Sequence, residues 1–299
     1  MTTTKTRCDI AAHISEKILS VLAQGAMPWR KPWDGARAGP ALPRRVTGEL
    51  YRGVNIILLW SRAQASGFQS PFWLSFNQAA KLGAQVRRGE RGETVVFYGA
   101  AKRALPRREA ENAGQSFRFL KTYLVFNADQ IEGLSRSFHP PASLAPPMAS
   151  AAHEAWFAKL EIARVLSRDI ACYMPSRDQI AMPALAAFDS VAQYCATLNH
   201  ECVHATGAEH RVGRDLTRRF SREARAVEEL IAEIGAAILG AHMRLPPHHI
   251  FDHSAYIGSW MNVLAHDKRA FLFAAGQAQV AVDWLLTKSP APEACDVAA

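Results

Sequence analysis

The chain has 299 residues, 49% of them apolar and 21% charged, a balance that excludes a largely disordered or fibrous protein and suits about two globular domains. Its longest apolar run, Val54 to Trp60, falls far short of the ~20 residues a bilayer span needs, so no membrane partner is expected. No secretory leader is visible, and five scattered cysteines (Cys8, Cys172, Cys195, Cys202, Cys295) make no disulfide framework, so a cytoplasmic protein is expected.

The net charge of +8 is unevenly placed: residues 1–140 hold 21 Lys+Arg against 10 Asp+Glu, while residues 141–299 hold 14 against 17. A basic half points to a polyanionic partner, and nucleic acid is the usual one. The change of sign coincides with a proline-rich stretch, Ser137 to Ser150. Together these divide the chain into a basic domain 1–137, a linker 138–150 and a second domain 151–299.

In chain order, Ile10–Ala23 carries apolar residues at helical spacing. Met27–Pro43 is rich in Pro and Gly and reads as a loop. Helices are expected over Asn55–Ser66 and, after a cap-like Ser75, up to Leu82. Thr94–Tyr98 and Phe117–Phe126 are β-branched and aromatic and read as strands, joined through the basic segment Lys102–Arg108. The second domain opens with a helix over Ala151–Arg168. Two short extended runs follow, Ala171–Met174 and Gln179–Met182, with a turn at Pro175–Asp178. Helices are then expected over Asp189–Thr206, Ser221–Met243 and Ser254–Leu286. The fold class is α+β in two domains: an α+β first domain, and a mostly helical second with a small sheet.

The strongest motif is His200-Glu-Cys-Val-His204. On a helix, positions i and i+4 share a face, so both imidazoles reach one ion. Glu201 lies between them and can take a proton from metal-bound water as general base. A catalytic zinc site needs a third protein ligand. His210 is one candidate, at the spacing His-Glu-x-x-His-x-x-Gly-x-x-His. Glu229 is the other, on the next long helix, one turn from Glu233, which could accept a hydrogen bond from a ligand imidazole. Glu233 sits among Ile231, Ala232, Ile234 and Ala236, and a carboxylate on an apolar face needs a partner. Cys202 falls at the wrong helical phase to join the two histidines and reads as a packing residue.

In the basic half, Arg44, Arg45, Arg52, Arg87, Arg88, Arg91 and Lys121 supply cations, while Tyr51, Trp73, Tyr98 and Tyr123 are among the aromatic faces. Cations along a backbone with aromatics stacked on bases is how single-stranded nucleic acid is held without sequence preference. Arg87-Arg-Gly-Glu-Arg-Gly92 is a glycine-punctuated basic turn with backbone N–H groups suited to phosphate.

The segments His200-Glu-Cys-Val-His-Ala-Thr-Gly207, Arg211 and Glu228-Glu-Leu-Ile-Ala-Glu-Ile-Gly-Ala-Ala237 resemble the zincin-type domain of ArdC-type antirestriction proteins. Tyr256-Ile-Gly-Ser-Trp260 and Asp267-Lys-Arg-Ala270 extend the likeness. Tyr51-Arg-Gly-Val-Asn55, Trp73-Leu-Ser-Phe76, the Arg87–Gly92 loop and Val125-Phe-Asn127 resemble that family's N-terminal single-stranded-DNA-binding domain, which has a counterpart at the start of some plasmid primases. The resemblance implies a gluzincin-like metallopeptidase site, with His200, His204 and Glu229 on one zinc ion (manganese being the alternative) and Glu201 as catalytic base. It favours Glu229 over His210. It implies a role in the bacterial cytoplasm: binding single-stranded DNA, and duplex more weakly, through residues that include Asn55, and protecting incoming plasmid DNA from restriction. In the enzyme reading the zinc site cleaves a component of the host restriction system or another DNA-bound protein; the strand pair at Ala171–Met182 is either an edge above the metal helix that pairs with an extended peptide or a structural hairpin. The competing reading is a non-catalytic DNA-masking protein with a structural metal.

Overall fold

The computed structural model describes residues 9–29, 41–102, 116–140, 150–216, 221–245 and 254–291. The Lys102–Arg108 connection beyond Lys102, most of the Met27–Pro43 loop and most of the linker lie outside them. The described residues form two compact units. One draws on Met1–Leu42, Arg52–Trp60 and Pro141–Ala299, the other on Pro43–Tyr51 and Ser61–Pro140. This grouping differs from a single cut at 138–150. Helix α1 (Ile10–Ala23), capped by Asp9, turns Ile14, Ile18 and Leu22 inward, and Ser15 Oγ donates to Lys268 O at 2.7 Å. That hydrogen bond joins residues 253 apart in sequence, beyond the reach of local pattern.

The smaller unit is built on a long hairpin. Strands β3 (Glu93–Lys102) and β4 (Ser116–Asn127) pair antiparallel, with Phe97 opposite Lys121 and Val95 opposite Tyr123. Strand β1 (Trp73–Leu74) adds to β4, giving the order β1-β4-β3, while β2 (Gln85–Val86) pairs with β5 (Ile131–Glu132). Helix α3 (Phe76–Lys81) starts with a full capping box between Ser75 and Gln78. Leu74, Ala79, Val86, Phe126 and Ile131 make the core of this unit. Helix α2 spans Val54–Ser66.

The larger unit holds helices α4 (Ser150–Ala158), α5 (Val191–Ala205), α6 (Arg222–His242), α7 (Ser254–His266) and α8 (Ala270–Lys288). It also holds a three-stranded sheet of β6 (Ala163–Ser167), β7 (Cys172–Met174) and β8 (Gln179–Pro183), in the order β6-β8-β7. Two expectations are corrected here. The helix expected over Ala151–Arg168 stops at Ala158, and the chain turns through Glu161 at φ 55° into β6, which pairs parallel with β8. Ile162, Val165 and Leu166 fit a helical period as well as an extended one, so the sheet partner decides. The helix expected over Ser254–Leu286 is two helices, broken at Asp267–Arg269.

Helix α8 is long and apolar enough to cross a membrane by composition, yet Phe271, Ala274, Ala278, Val282 and Leu285 are buried inside the unit. Trp29 meets Trp260 edge-on at 5.5 Å and Phe271 at 6.0 Å, and Trp260 Nε1 donates to Ala226 O at 2.9 Å.

Helices α5 and α6 approach closely because Gly235 has no side chain. A Cβ there would lie 2.9 Å from both Val203 methyl carbons. Such overpacking costs about 1–3 kcal/mol and pushes the helices apart. Gly235→Ala is therefore expected to lower the thermal midpoint and weaken metal binding together, because Val203 and Gly235 lie on the helices that carry His204 and Glu229. Thermal unfolding with and without added zinc checks this.

Candidate functional site

Helix α5 begins with Ser190 Oγ accepting from Gln193 N, and Tyr194 to Ala205 are buried along it. Helix α6 begins with Ser221 Oγ accepting from Ala224 N. The structure brings together His200 and His204 from α5 and Glu229 from α6. His200 Nε2 and His204 Nε2 are 3.1 Å apart, and Glu229 Oε2 lies 3.5 Å from the first and 3.7 Å from the second. Tetrahedral coordination with metal–nitrogen bonds near 2.0–2.1 Å places ligand atoms about 3.3 Å apart. The triangle has that size.

The ring orientations suit a metal. His204 Nδ1 faces Glu228 Oε1 at 3.1 Å, and His200 Nδ1 faces Glu233 Oε1 at 3.6 Å. Carboxylates at both Nδ1 atoms favour protons there and turn the Nε2 lone pairs toward one another and toward a third carboxylate. That arrangement calls for a cation. Burial works against a charged His204, but Glu228 and Glu229 overcome it and push its pKa up to about 10. Burial likewise opposes ionised Glu229, and the two imidazoles still hold its carboxyl well below the usual range. The pocket stabilises positive charge, and a divalent ion can take the place of the proton.

Glu201 is buried, and its Oε2 accepts from the backbone N–H of Tyr173 at 2.7 Å. Tyr173 is the middle residue of β7, an edge strand of the sheet. Tyr173 Oη donates to Asp178 Oδ1 at 2.8 Å, and Asp178 accepts both Nη atoms of Arg211, at 2.7 and 2.9 Å. These bonds hold the Asp178 carboxyl below its ordinary value against the opposing effect of burial. A cleft of about 530 Å³ opens here, bounded by Tyr173, Asp178, Gly207, His210 and Arg214.

His210 is not in the cluster. It is 64% exposed and points Nε2 at Asp178 Oδ2, 3.3 Å away. Cys202 is wholly buried and, with its thiol pKa pushed up by burial, acts as packing. Arg214 and Asp178 escaped the sequence reading as parts of the site, and Glu228 and Arg211 entered it only within the segments that carry the family resemblance, with no role assigned. Loop arginines follow no spacing rule.

The proposed nucleic-acid residues divide. Trp73 is 2% exposed and packs beside Phe68 in the core, so it cannot stack on a base, and Tyr51 is 7% exposed under the Arg45 guanidinium. Arg44 Nη1 donates to Gly48 O, Arg45 approaches Glu49, and Arg52 pairs with Asp283. Asn55 is partly buried. Arg87 is paired with Glu90 at 2.7 Å, whereas Arg88, Arg91 and Lys121 are exposed. Among the described residues of this unit, accessible aromatics lie on the hairpin and at Phe76. Phe97, Tyr98 and Tyr123 are about half exposed, and Phe97 meets Tyr123 edge-on at 6.5 Å.

The metal triangle, its carboxylate surround and the sheet beside α5 define a zincin-like metallopeptidase domain, and that family model matches residues 151–277. The model for the N-terminal domain of anti-restriction factor ArdC matches residues 8–126. The chain is 40% identical to the crystal structure of antirestriction ArdC protein from the R388 plasmid in its metal-free form, with a TM-score of 0.80 over 94% of this chain and 97% of that one. Against the Mn(II)-bound form the TM-score is 0.79 at 39% identity, over 97% and 99%. Uncharacterized protein y4eC of Sinorhizobium fredii (strain NBRC 101917 / NGR234) is 37% identical over 95% of this chain and 93% of its own length. DNA primase TraC of Escherichia coli is 34% identical over 92% of this chain, which spans 27% of the primase. The chain belongs to the ArdC antirestriction family, and its zincin-like domain is a metal-binding one.

Proposed function

We propose that this protein protects incoming plasmid DNA from host restriction by joining a single-stranded-DNA-binding region, within residues 1–137, to a zinc metallopeptidase site in residues 151–299. It would act in the bacterial cytoplasm. The observation that carries the reading is the triangle of His200 Nε2, His204 Nε2 and Glu229 Oε2 with Glu201 one residue from His200. His200, His204 and Glu229 would hold the ion, which would supply polarisation of a bound water and a lowered pKa. Glu201 Oε2 is engaged by Tyr173 N–H, which leaves Oε1 to receive the water proton. Glu201 would take one proton from the water that adds to the acyl carbon and return it to the departing amine as the C–N bond breaks. An extended peptide lying along β7 fits this arrangement. The substrate class is a protein of the restriction system.

The R388 protein crystallised with Mn(II), which makes manganese a second candidate ion. The non-catalytic reading, a DNA-masking protein with a structural metal, has one observation in its favour: Glu201 is already held by a backbone N–H.

For DNA, exposed Phe97 and Tyr123, on the hairpin face that also carries Lys121, supply the mixture of π-faces and cations that single strands bind. Fluorescence anisotropy with labelled single-stranded DNA is expected to show affinity falling steeply with salt. Phe97→Ala with Tyr123→Ala is expected to weaken binding about 30-fold or more, since each stacked base contributes about 1–3 kcal/mol. Duplex DNA should bind less tightly. Unchanged affinity in the double variant would move the site off the hairpin.

A further inference from the structure

We infer that Arg211 and Arg214 are positioning residues that tie the end of the metal helix to the two groups its chemistry depends on: Arg214 sets His204 through Glu228, and Arg211 sets the edge strand through Asp178. The inference rests on the metal reading of His200, His204 and Glu229.

Both guanidiniums are buried, with side chains 5% and 6% exposed. A buried guanidinium is unfavourable unless its donors are matched. Arg214 Nε and Nη2 grip Glu228 at 3.1 and 2.8 Å. Its Nη2 also donates to Val203 O at 2.7 Å, and Nη1 donates to Thr206 Oγ1 at 2.7 Å. Arg211 holds Asp178 with two bonds and gives Nη1 to Ala205 O at 2.8 Å. Val203 and Ala205 lie in the last turn of α5, where carbonyls lack helical partners and the dipole favours cations. The two arginines therefore cap the helix that carries His200 and His204.

Each arginine then fixes a carboxylate in one orientation, because a planar fork holds both oxygens. With Glu228 pinned, its Oε1 faces His204 Nδ1 and the imidazole keeps its Nε2 toward the metal position. With Asp178 pinned, Tyr173 Oη is anchored, and so is the strand whose N–H meets Glu201. The loop between them thus registers metal and edge strand to one helix end.

The experiment uses the full-length protein, stripped of metal and titrated with zinc against a chromophoric chelator. Hydrogen–deuterium exchange across residues 171–178 is read in parallel. Arg214→Gln and Glu228→Gln are each expected to weaken zinc binding about 10–100-fold. The double variant should be no weaker than the worse single, since both act on one bond to His204. Neither should change exchange across 171–178. Asp178→Asn is expected to do the reverse, speeding exchange across 171–178 while zinc affinity stays at the wild-type level. The visible spectrum of the cobalt-loaded protein should shift in Glu228→Gln and not in Asp178→Asn. Should Arg214→Gln fail to fold, Glu228→Gln carries the first arm alone. Folded Arg214 and Glu228 variants with wild-type zinc affinity would overturn the inference. So would equal losses from all three substitutions, which mark a purely structural loop. A wild-type protein that takes up neither zinc nor manganese would overturn the metal reading itself, and this inference with it.

Discussion

Glu201→Gln is expected to keep its metal, keep its fold and lose protection of incoming DNA. The substitution preserves shape and leaves a carbonyl oxygen to accept from Tyr173 N–H, so the 2.7 Å contact with the edge strand survives. What disappears is the capacity to take a proton from water. General-base catalysis contributes about 10²–10⁴ in rate, and a loss of that size leaves no useful turnover. Restriction of a transferred plasmid in a recipient that restricts it, measured beside the zinc content of the purified variant, gives the answer. Lost protection with full zinc supports the enzyme. Full protection with full zinc supports the masking reading, in which the hairpin and its cations act alone.

Removing a corner of the metal triangle should have an equally large effect on the ion. His204→Ala and Glu229→Ala are each expected to purify without metal, and His210→Ala to retain it. His204 and Glu229 supply two of the three converging donor atoms, while His210 lies against Asp178 and is open to solvent. A ligand that binds only the native state stabilises by about 4 kcal/mol when present at about 1,000 times its dissociation constant. Added zinc should therefore raise the thermal midpoint of wild type and of His210→Ala, and leave the other two unmoved. A metal-free His210→Ala beside a metal-replete Glu229→Ala would reverse the assignment.

Much of this was legible in the residues alone. The 3.6-residue period and a capping Ser or Asp set α1, α3, α5 and α6 within two residues, because those helices carry both their start signal and an apolar stripe. His200 and His204 were readable because i and i+4 share one helical face; spacing left Glu229 and His210 both open as third ligand, and only the family resemblance favoured Glu229. Strand β6 was not readable, since five residues that suit either period become a strand only by pairing with β8. Trp73 and Tyr51 misled for a related reason: an aromatic beside arginines looks alike in a core and at a surface, and only the packed neighbours distinguish them. The Arg214–Glu228–His204 chain was hidden because a loop arginine is placed by tertiary structure alone.

The burial of α1 against residues near the far end of the chain has a consequence for synthesis. Its inward face, Ile14, Ile18 and Leu22, finds its cover only when the segment around α7 and Lys268 is available, 253 residues downstream at the Ser15 contact. At about 5–20 residues per second, translation takes roughly 10–50 s to deliver that segment. Throughout that interval the nascent chain carries an uncovered apolar stripe, a natural target for a holding chaperone. The larger unit closes late, and a chain cut near residue 140 never closes it, so the stripe that escapes harm in the full protein becomes a permanent aggregation surface in the fragment.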